Sequence, residues 1–160
     1  MPAEVAQDVL RVLQACRSIE LAMSGLYEAL AEIHQRDPKI ARLWRKTARE
    51  EGNHAAQFSL LIEAIPEAVQ RTAVDLQGLE SLRRALETTV EEFRLREPTV
   101  REALVTVIDF EEAMDRIHAH QAVTFRDLRC RRMFEAMMAA DSGHITRLRA
   151  ALHKLGARTS

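Results

Sequence analysis

Six side chains of the kinds that bind metal ions recur at regular spacing along this chain. The candidates are Glu20, Glu51, His54, Glu111, Asp141 and His144. Glu51 and His54 form one acid-x-x-His pair, and Asp141 and His144 form a second. Carboxylates and neutral imidazoles together suit iron or manganese, and residues three apart share one face of a helix. The pattern therefore predicts a metal site between helices.

The spacing in the second half of the chain repeats that in the first half. Glu20 precedes Glu51 by 31 residues, and Glu111 precedes Asp141 by 30. The two halves are therefore related by an offset of 90 or 91 residues. A repeat of this kind predicts two similar helical hairpins whose ligands face each other with approximate twofold symmetry.

Each of the four acids interrupts an otherwise apolar helix face, as Glu20 does between Cys16 and Met23. A carboxylate buried without a partner costs on the order of several kcal/mol or takes up a proton. Two divalent cations would balance four carboxylates, and helix bundles that hold two irons use this combination of acids and histidines. The alternative is a bundle whose polar core groups pair only with each other.

The elements that must carry these residues are helices. The chain has 160 residues, which suits one domain, with only five glycines, four prolines and no alternating strand pattern. Four long helices are predicted, at about 4–35, 38–64, 98–125 and 127–155, with a crossover over 66–97 that carries its own helix. Short turns within each pair and one long crossover between pairs predict an all-α, ferritin-like four-helix bundle.

Several segments resemble the rubrerythrin-like members of the ferritin-like superfamily. Residues 20–27 are similar to their first-helix acid with a tyrosine two turns later, and residues 49–55 to their Glu-x-x-His element. Residues 103–111 are similar to the entry of their third helix, and Asp141-x-x-His144 stands in for their last pair. The resemblance covers about 1–65 and 98–155, and the crossover is similar only in length.

The resemblance implies a centre of two iron ions, with manganese or mixed metals as alternatives. It implies that Glu20 and Glu111 bind one metal each and that Glu51 and Asp141 bridge the pair. It also implies that His54 and His144 each bind one metal, so that all six candidates are ligands. Tyr27 and His118, seven residues after Glu20 and Glu111, are candidates for catalytic groups that contact the ligands.

The implied activity is that of an oxidoreductase acting on peroxide or dioxygen. Electrons would come from a separate donor protein, because the chain lacks the four cysteines of a rubredoxin domain, and a homodimer or larger homo-oligomer is expected. The alternatives are a ferroxidase that stores or handles iron and, in another class, a metal-free helical interaction module. Met114 stands where peroxide-reducing rubrerythrins often carry a further carboxylate, which weighs against peroxidase turnover.

Other polar residues near the motifs leave alternatives open. Asp141 is one methylene shorter than the usual Glu and could lengthen a metal bond. Asp115 could replace or supplement Glu111, and His118 could be an additional ligand. Glu50 and Glu112 adjoin the chosen ligands but are rotated by about 100°, so they are expected to face solvent or to contact the ligands from outside. The remaining histidines fall off the ligand pattern and are expected at the surface: His34, His120 and His153.

Charge and composition argue against other classes. The formal net charge of −1 lacks the basic excess of a nucleic-acid-binding protein. No run of about 18 apolar residues predicts a membrane span, and the first residues do not resemble a signal peptide. Cys16 and Cys130 form no CxxC pair, which excludes a zinc knuckle. A reducing cytoplasm is therefore the expected location.

Overall fold

The computed structural model describes residues 3–63, 69–72, 76–119, 123–125 and 128–157. Within this part of the chain, the side chains of residues 3–9, 69–72, 117–119, 123–125, 134, 138 and 140–142 are not described. The elements are α1 (Ala3–Ile33), α2 (Pro38–Glu63), β1 (Val69–Thr72), α3 (Leu76–Leu95), α4 (Val100–Ala119), β2 (Val123–Phe125) and α5 (Leu128–Ala157).

Local sequence signals begin two of the helices. Asp37 caps α2, because its Oδ1 accepts hydrogen bonds from the backbone N–H groups of Lys39 at 3.0 Å and Ile40 at 3.2 Å. Thr99 and Glu102 form a reciprocal capping box at α4, where each side chain bonds the other residue's backbone N–H at 3.2 and 2.8 Å. These caps set where each hairpin helix starts, and so which residues face the core.

The four long helices form two antiparallel hairpins, α1 with α2 and α4 with α5, as the sequence predicts. One apolar core joins them, and its largest fully buried side chains include Trp44, Tyr27 and Phe58. The ferritin-like, all-α bundle is confirmed. That the chain is one domain stays a prediction.

The crossover carries the predicted extra helix. α3 packs along α1 and buries Leu79, Leu86 and Phe93, with Leu82 and Val90 partly buried beside them. These five residues recur at helical spacing, so their apolar stripe covers the outer side of the first hairpin.

A short antiparallel strand pair was not predicted. Val69 pairs with Phe125, Arg71 with Thr124 and Thr72 with Val123. The prediction that the third long helix continues to residue 125 is therefore wrong, because α4 ends at Ala119 and residues 123–125 form β2. Val123, Thr124 and Phe125 are β-branched or aromatic, which are residue types that favour strands, and their backbone pairs with that of β1.

The outward faces of the helices are mostly polar. Large apolar side chains exposed to solvent are scattered, one on each of the five helices: Leu21, Leu60, Leu95, Val105 and Leu128. Among the described helices, none combines the length and the apolar character that crossing a membrane requires.

Candidate metal centre

The first group of potential ligands lies within the first hairpin. Glu20 on α1 and both Glu51 and His54 on α2 offer ligand atoms that lie within 4.8 Å of one another. His54 Nδ1 is 3.2 Å from Glu51 Oε2 and 3.7 Å from Glu20 Oε2. All three side chains are at most 5% exposed, so water does not solvate their charges. A cation between them would take both carboxylates and one imidazole as ligands.

The second group joins the two hairpins. Glu51, Glu111 on α4 and His144 on α5 also place ligand atoms within 4.8 Å of one another. His144 Nδ1 is 2.8 Å from Glu51 Oε1 and 3.8 Å from Glu111 Oε2. The two imidazole rings, of His54 and His144, stack with their centroids 5.5 Å apart. Glu51 therefore presents one carboxylate oxygen to each group, as a carboxylate that bridges two metals does.

The donor atoms of the second group fit a metal ion better than they fit each other. Although Glu51 Oε1 and His144 Nδ1 are 2.8 Å apart, both are buried and neither has an aligned hydrogen-bond partner among the described residues. Ligand atoms bound at about 2.1 Å and at right angles around one ion lie about 3 Å apart. The separation and the missing alignment are what two ligands of one cation would show.

Glu50 orients His144 from outside the ligand group. Its Oε2 lies 3.1 Å from His144 Nε2, the ring nitrogen that faces away from Glu51. Arg147 donates to the same oxygen, and Lys46 Nζ lies 3.8 Å from Glu50 Oε1. A carboxylate that accepts a hydrogen bond from Nε2–H keeps the ring hydrogen on Nε2. The lone pair of Nδ1 is then available to bind a metal ion. From the sequence, Glu50 was expected either to face solvent or to contact the ligands from outside, and the structure shows the second. Arg147 was not among the residues that the sequence predicted to lie near the site.

Arg147 carried a signal that could have identified it. It follows His144 by three residues and therefore shares its face of α5. Glu112, the residue treated like Glu50 in the sequence, instead pairs with Arg149 at 2.6 Å at the exposed surface.

Tyr27 contacts the second group through Glu111. Its hydroxyl donates to Glu111 Oε1 at 2.5 Å, and both side chains are buried. Burial first, and then the negative charges of Glu111 and Glu51, raise the pKa of Tyr27 well above its usual value. Burial, together with the charge of Glu51, also raises the pKa of Glu111 to about 7 against the opposing effect of His144. The tyrosine thus stays a neutral donor that holds one oxygen of Glu111.

Protons replace the missing positive charge in the metal-free site. Burial lowers the pKa of His54, but the carboxylates of Glu20 and Glu51 outweigh it and raise the pKa to about 10. For His144, burial is likewise outweighed by Glu111 and Glu51, and the pKa again rises to about 10. Burial alone would raise the pKa of Glu51, yet the two imidazoles hold it well below its usual range. Metal ions would have to displace these imidazole protons.

The structure brings five of the six predicted ligands together: Glu20, Glu51, His54, Glu111 and His144. The side chains of Asp141 and His118 lie outside the described part of the chain. Asp115 is half-buried and belongs to neither group.

The predicted surface position of His34 is wrong, because this side chain is half-buried against Trp44 and the backbone of Pro98. His153 is exposed as expected, and His120 lies outside the described residues.

The family model for rubrerythrin matches residues 12–152, which include every residue of both ligand groups. No curated protein and no solved structure matches the chain. Because the family model spans most of the chain, this protein belongs to the rubrerythrin family.

Proposed function

We propose that this chain is a non-haem di-iron carboxylate protein that acts as an oxidoreductase on peroxide or dioxygen. The observation that carries the proposal is the placement of Glu51, whose two oxygens face two separate buried ligand groups. A bridging carboxylate with an acid and an imidazole on each side suits two divalent ions of the iron or manganese type. A structural ion pair would need only one such group.

The protein residues would hold the ions in defined roles. Glu51 would bridge them, with Asp141 as the second bridge expected from the family resemblance. Glu20 and His54 would bind one ion, and Glu111 and His144 the other. A pair of iron ions supplies two electrons in total for the reduction of an O–O bond. Mn or a mixed pair remains compatible with the same donors.

The surroundings would keep this chemistry away from water. All five described ligands are at most 5% exposed, so bulk solvent would be excluded from the ions that they hold. Tyr27 holds one oxygen of Glu111, which leaves the other free to face the second ion. Glu50 and Arg147 keep the His144 ring in one orientation. The low dielectric of the site strengthens each of these interactions.

The proposal extends to partners. A two-electron reaction needs re-reduction, and the 160 residues contain two cysteines, too few for a rubredoxin-type centre. A separate electron-donor protein would therefore supply electrons, and a homodimer or larger homo-oligomer is expected from the family resemblance. The two cysteines are buried free thiols, which suits a reducing compartment such as the cytoplasm.

A ferroxidase is the second candidate. Met114 is a buried, uncharged residue one turn after Glu111, where peroxide-reducing relatives often carry a carboxylate. In a ferroxidase Fe(II) is the substrate, and the same acids would bind it, promote its oxidation and pass it to an iron store. Native mass spectrometry separates the storage form of this alternative, because storage by the chain itself requires a large cage.

The test of the proposal begins with metal content. Anaerobic loading with Fe(II) and desalting should leave about two irons per chain, and rapid mixing with hydrogen peroxide should then oxidise them faster than free Fe(II) in the same buffer. The matched control is Glu51→Gln, which keeps the size of the side chain and removes the bridge. Oxidation by peroxide and by dioxygen that is no faster than that of free Fe(II) would refute the oxidoreductase.

A further inference from the structure

A continuous chain of side chains leads from the second ligand group to one end of the bundle. The Tyr27 hydroxyl donates to Glu111 Oε1 at 2.5 Å, and the Tyr27 ring stacks on Trp44 with the centroids 5.9 Å apart. Trp44 Nε1 donates to His34 Nδ1 at 3.1 Å, and His34 Nε2 lies 2.9 Å from the Pro98 carbonyl oxygen. Each member contacts the next without a gap.

This series of contacts contains the two residues of the sequence that can carry a radical. The sequence contains one tyrosine and one tryptophan, and these two residues are the ones that stack. Phenol and indole are the aromatic side chains that can give up an electron under biological conditions, whereas the five phenylalanines cannot. Tyr27 and Trp44 are also fully buried, so solvent cannot quench a radical on either ring.

His34 has the orientation that a proton acceptor needs. Since the Pro98 carbonyl can only accept, Nε2 carries the ring hydrogen and Nδ1 offers its lone pair to the Trp44 N–H. A second proton at Nδ1 would leave the bond from Nε2 to Pro98 intact. His34 is half-buried and is followed by exposed Gln35 and Arg36 in the turn between α1 and α2. The chain of contacts therefore ends beside the surface.

We propose that Tyr27, Trp44 and His34 form a route by which single electrons travel from the turn between α1 and α2 to the metal centre. The inference deepens the proposed function, on which it rests, because it assigns where an outside one-electron donor delivers its electrons. The route would also refill the centre after an incomplete reaction with an oxidant.

Each transfer along the route balances. Tyr27 gives one electron to the oxidised centre and its phenolic proton to Glu111 Oε1. Trp44 then returns an electron to Tyr27, which recovers its proton, while the indole proton passes from Nε1 to His34 Nδ1. A one-electron donor outside the protein reduces Trp44, and His34 returns the proton. The net change is one electron moved inward, with every proton back at its starting atom.

The test uses the metal-free protein, so that radical transfer is measured independently of iron. A ruthenium photo-oxidant is attached to Gln35→Cys, beside His34; both native cysteines are buried and should not react. The matched control carries the same label at Leu60→Cys, which is also exposed but lies about 24 Å along α2 from Trp44. Transient absorption and electron paramagnetic resonance identify the radicals, since each signal has one possible source.

We expect a flash at position 35 to produce a tryptophanyl radical that decays as a tyrosyl radical grows. From position 60 the yield should be at least about tenfold lower, because the separation along the helix is greater. Tyr27→Phe should leave a longer-lived tryptophanyl radical and no tyrosyl signal. Trp44→Phe keeps an aromatic ring in the stack but should reduce the tyrosyl yield to that of the label at position 60.

Phe93→Leu removes a buried ring on α3 and controls for a loosened core; it should behave as the unsubstituted protein does. Equal yields from positions 35 and 60, or normal tyrosyl formation in Trp44→Phe, would overturn the proposal.

In the iron-loaded protein, Trp44→Phe should retain its iron and slow the reduction of the oxidised centre by a donor tethered at position 35. An unchanged rate of reduction would also overturn the proposal. Normal radical transfer without iron binding would establish the route between the turn and Tyr27, but it would reject the proposed function and with it the metal centre as the destination of the electrons.

Discussion

The two ligand groups are assembled from different numbers of helices. Glu20, Glu51 and His54 belong to α1 and α2, which a four-residue turn joins, so one hairpin builds the first group. The second group needs α4 and α5 and also takes Glu51 from α2. A group within one hairpin depends on local contacts, whereas the other depends on how two hairpins dock. Glu51 connects the two and should decide whether both form.

The outside support of the groups also differs between the hairpins. His144 is oriented by Glu50, a residue of the opposite hairpin that Arg147 holds in place. Tyr27, on α1, likewise holds Glu111 on α4. The second group is therefore supported by side chains of the first hairpin.

Removing the shared ligand should have the largest effect. Glu51→Gln takes away one ligand from each group, so we expect iron retention to fall from about two per chain to less than about 0.5. Inductively coupled plasma mass spectrometry after desalting measures this directly. Retention of one firmly bound iron would show that Glu51 serves a single group.

Removing a ligand of only one group should have about half that effect. Glu20→Gln and Glu111→Gln should each retain about one iron per chain, because the other three-residue group is complete. Electron paramagnetic resonance should then show an isolated ion in place of a magnetically coupled pair. If Glu111→Gln also emptied the first group, that hairpin would not form its site independently.

Removing the outside support should have a smaller effect. Glu50→Gln cannot hold the His144 ring as a carboxylate does, so we expect affinity for the second ion to fall by about tenfold. Glu112→Gln is the matched control, because Glu112 pairs with Arg149 at the exposed surface and such pairs contribute little. Competition with a chelator compares the two variants. Equal affinities would mean that Glu50 does not position His144.

The smallest expected effect is a change in the stability of the metal-free protein with pH, which needs no substitution. The folded pKa values of His54 and His144, about 10, lie above the value of about 6.5 expected in the unfolded chain. Their contribution to stability is therefore complete below pH 6.5 and is lost as the pH rises through 10. In urea titrations, the metal-free protein should be less stable at pH 9.5 than at pH 6.5.

The metal-loaded protein should respond to pH in the opposite direction over the same window, because ions displace the two imidazole protons more easily as the pH rises. A metal-free protein that is equally stable at both pH values would argue that the neighbouring carboxylates do not raise the pKa values of the two imidazoles. If the expected loss of stability at high pH is observed, comparing His54→Gln with His144→Gln would show which group carries it.

Much of the site was predictable because it depends on helix periodicity. Glu51 and His54 are three residues apart on an apolar stripe, so any helix through them must bury both on one side. The helix in the crossover was predicted for the same reason, from the spacing of Leu79, Leu86 and Phe93. Periodicity indicates which face of a helix is buried, and here that face carries the candidate ligands.

Periodicity does not report which residues meet across the core. Arg147 and Glu50 are 97 residues apart, and only the docking of α5 on α2 brings them together. His34 was expected at the surface because it falls off the ligand pattern, but the turn after α1 places it between Trp44 and Pro98. β2 interrupts a segment predicted as helix, because its partner strand lies in the crossover and not beside it in the sequence.

The sequence by itself determined the helical class, the stripes and the identity of the acids and histidines that share them, since these depend on composition and on contacts within a few residues. The tertiary structure alone decided that Glu51 belongs to both groups, that Glu50 orients His144, and that the rings of Tyr27 and Trp44 stack on each other. Each of these contacts joins separate helices, and their geometry follows from how the helices pack and not from any local pattern.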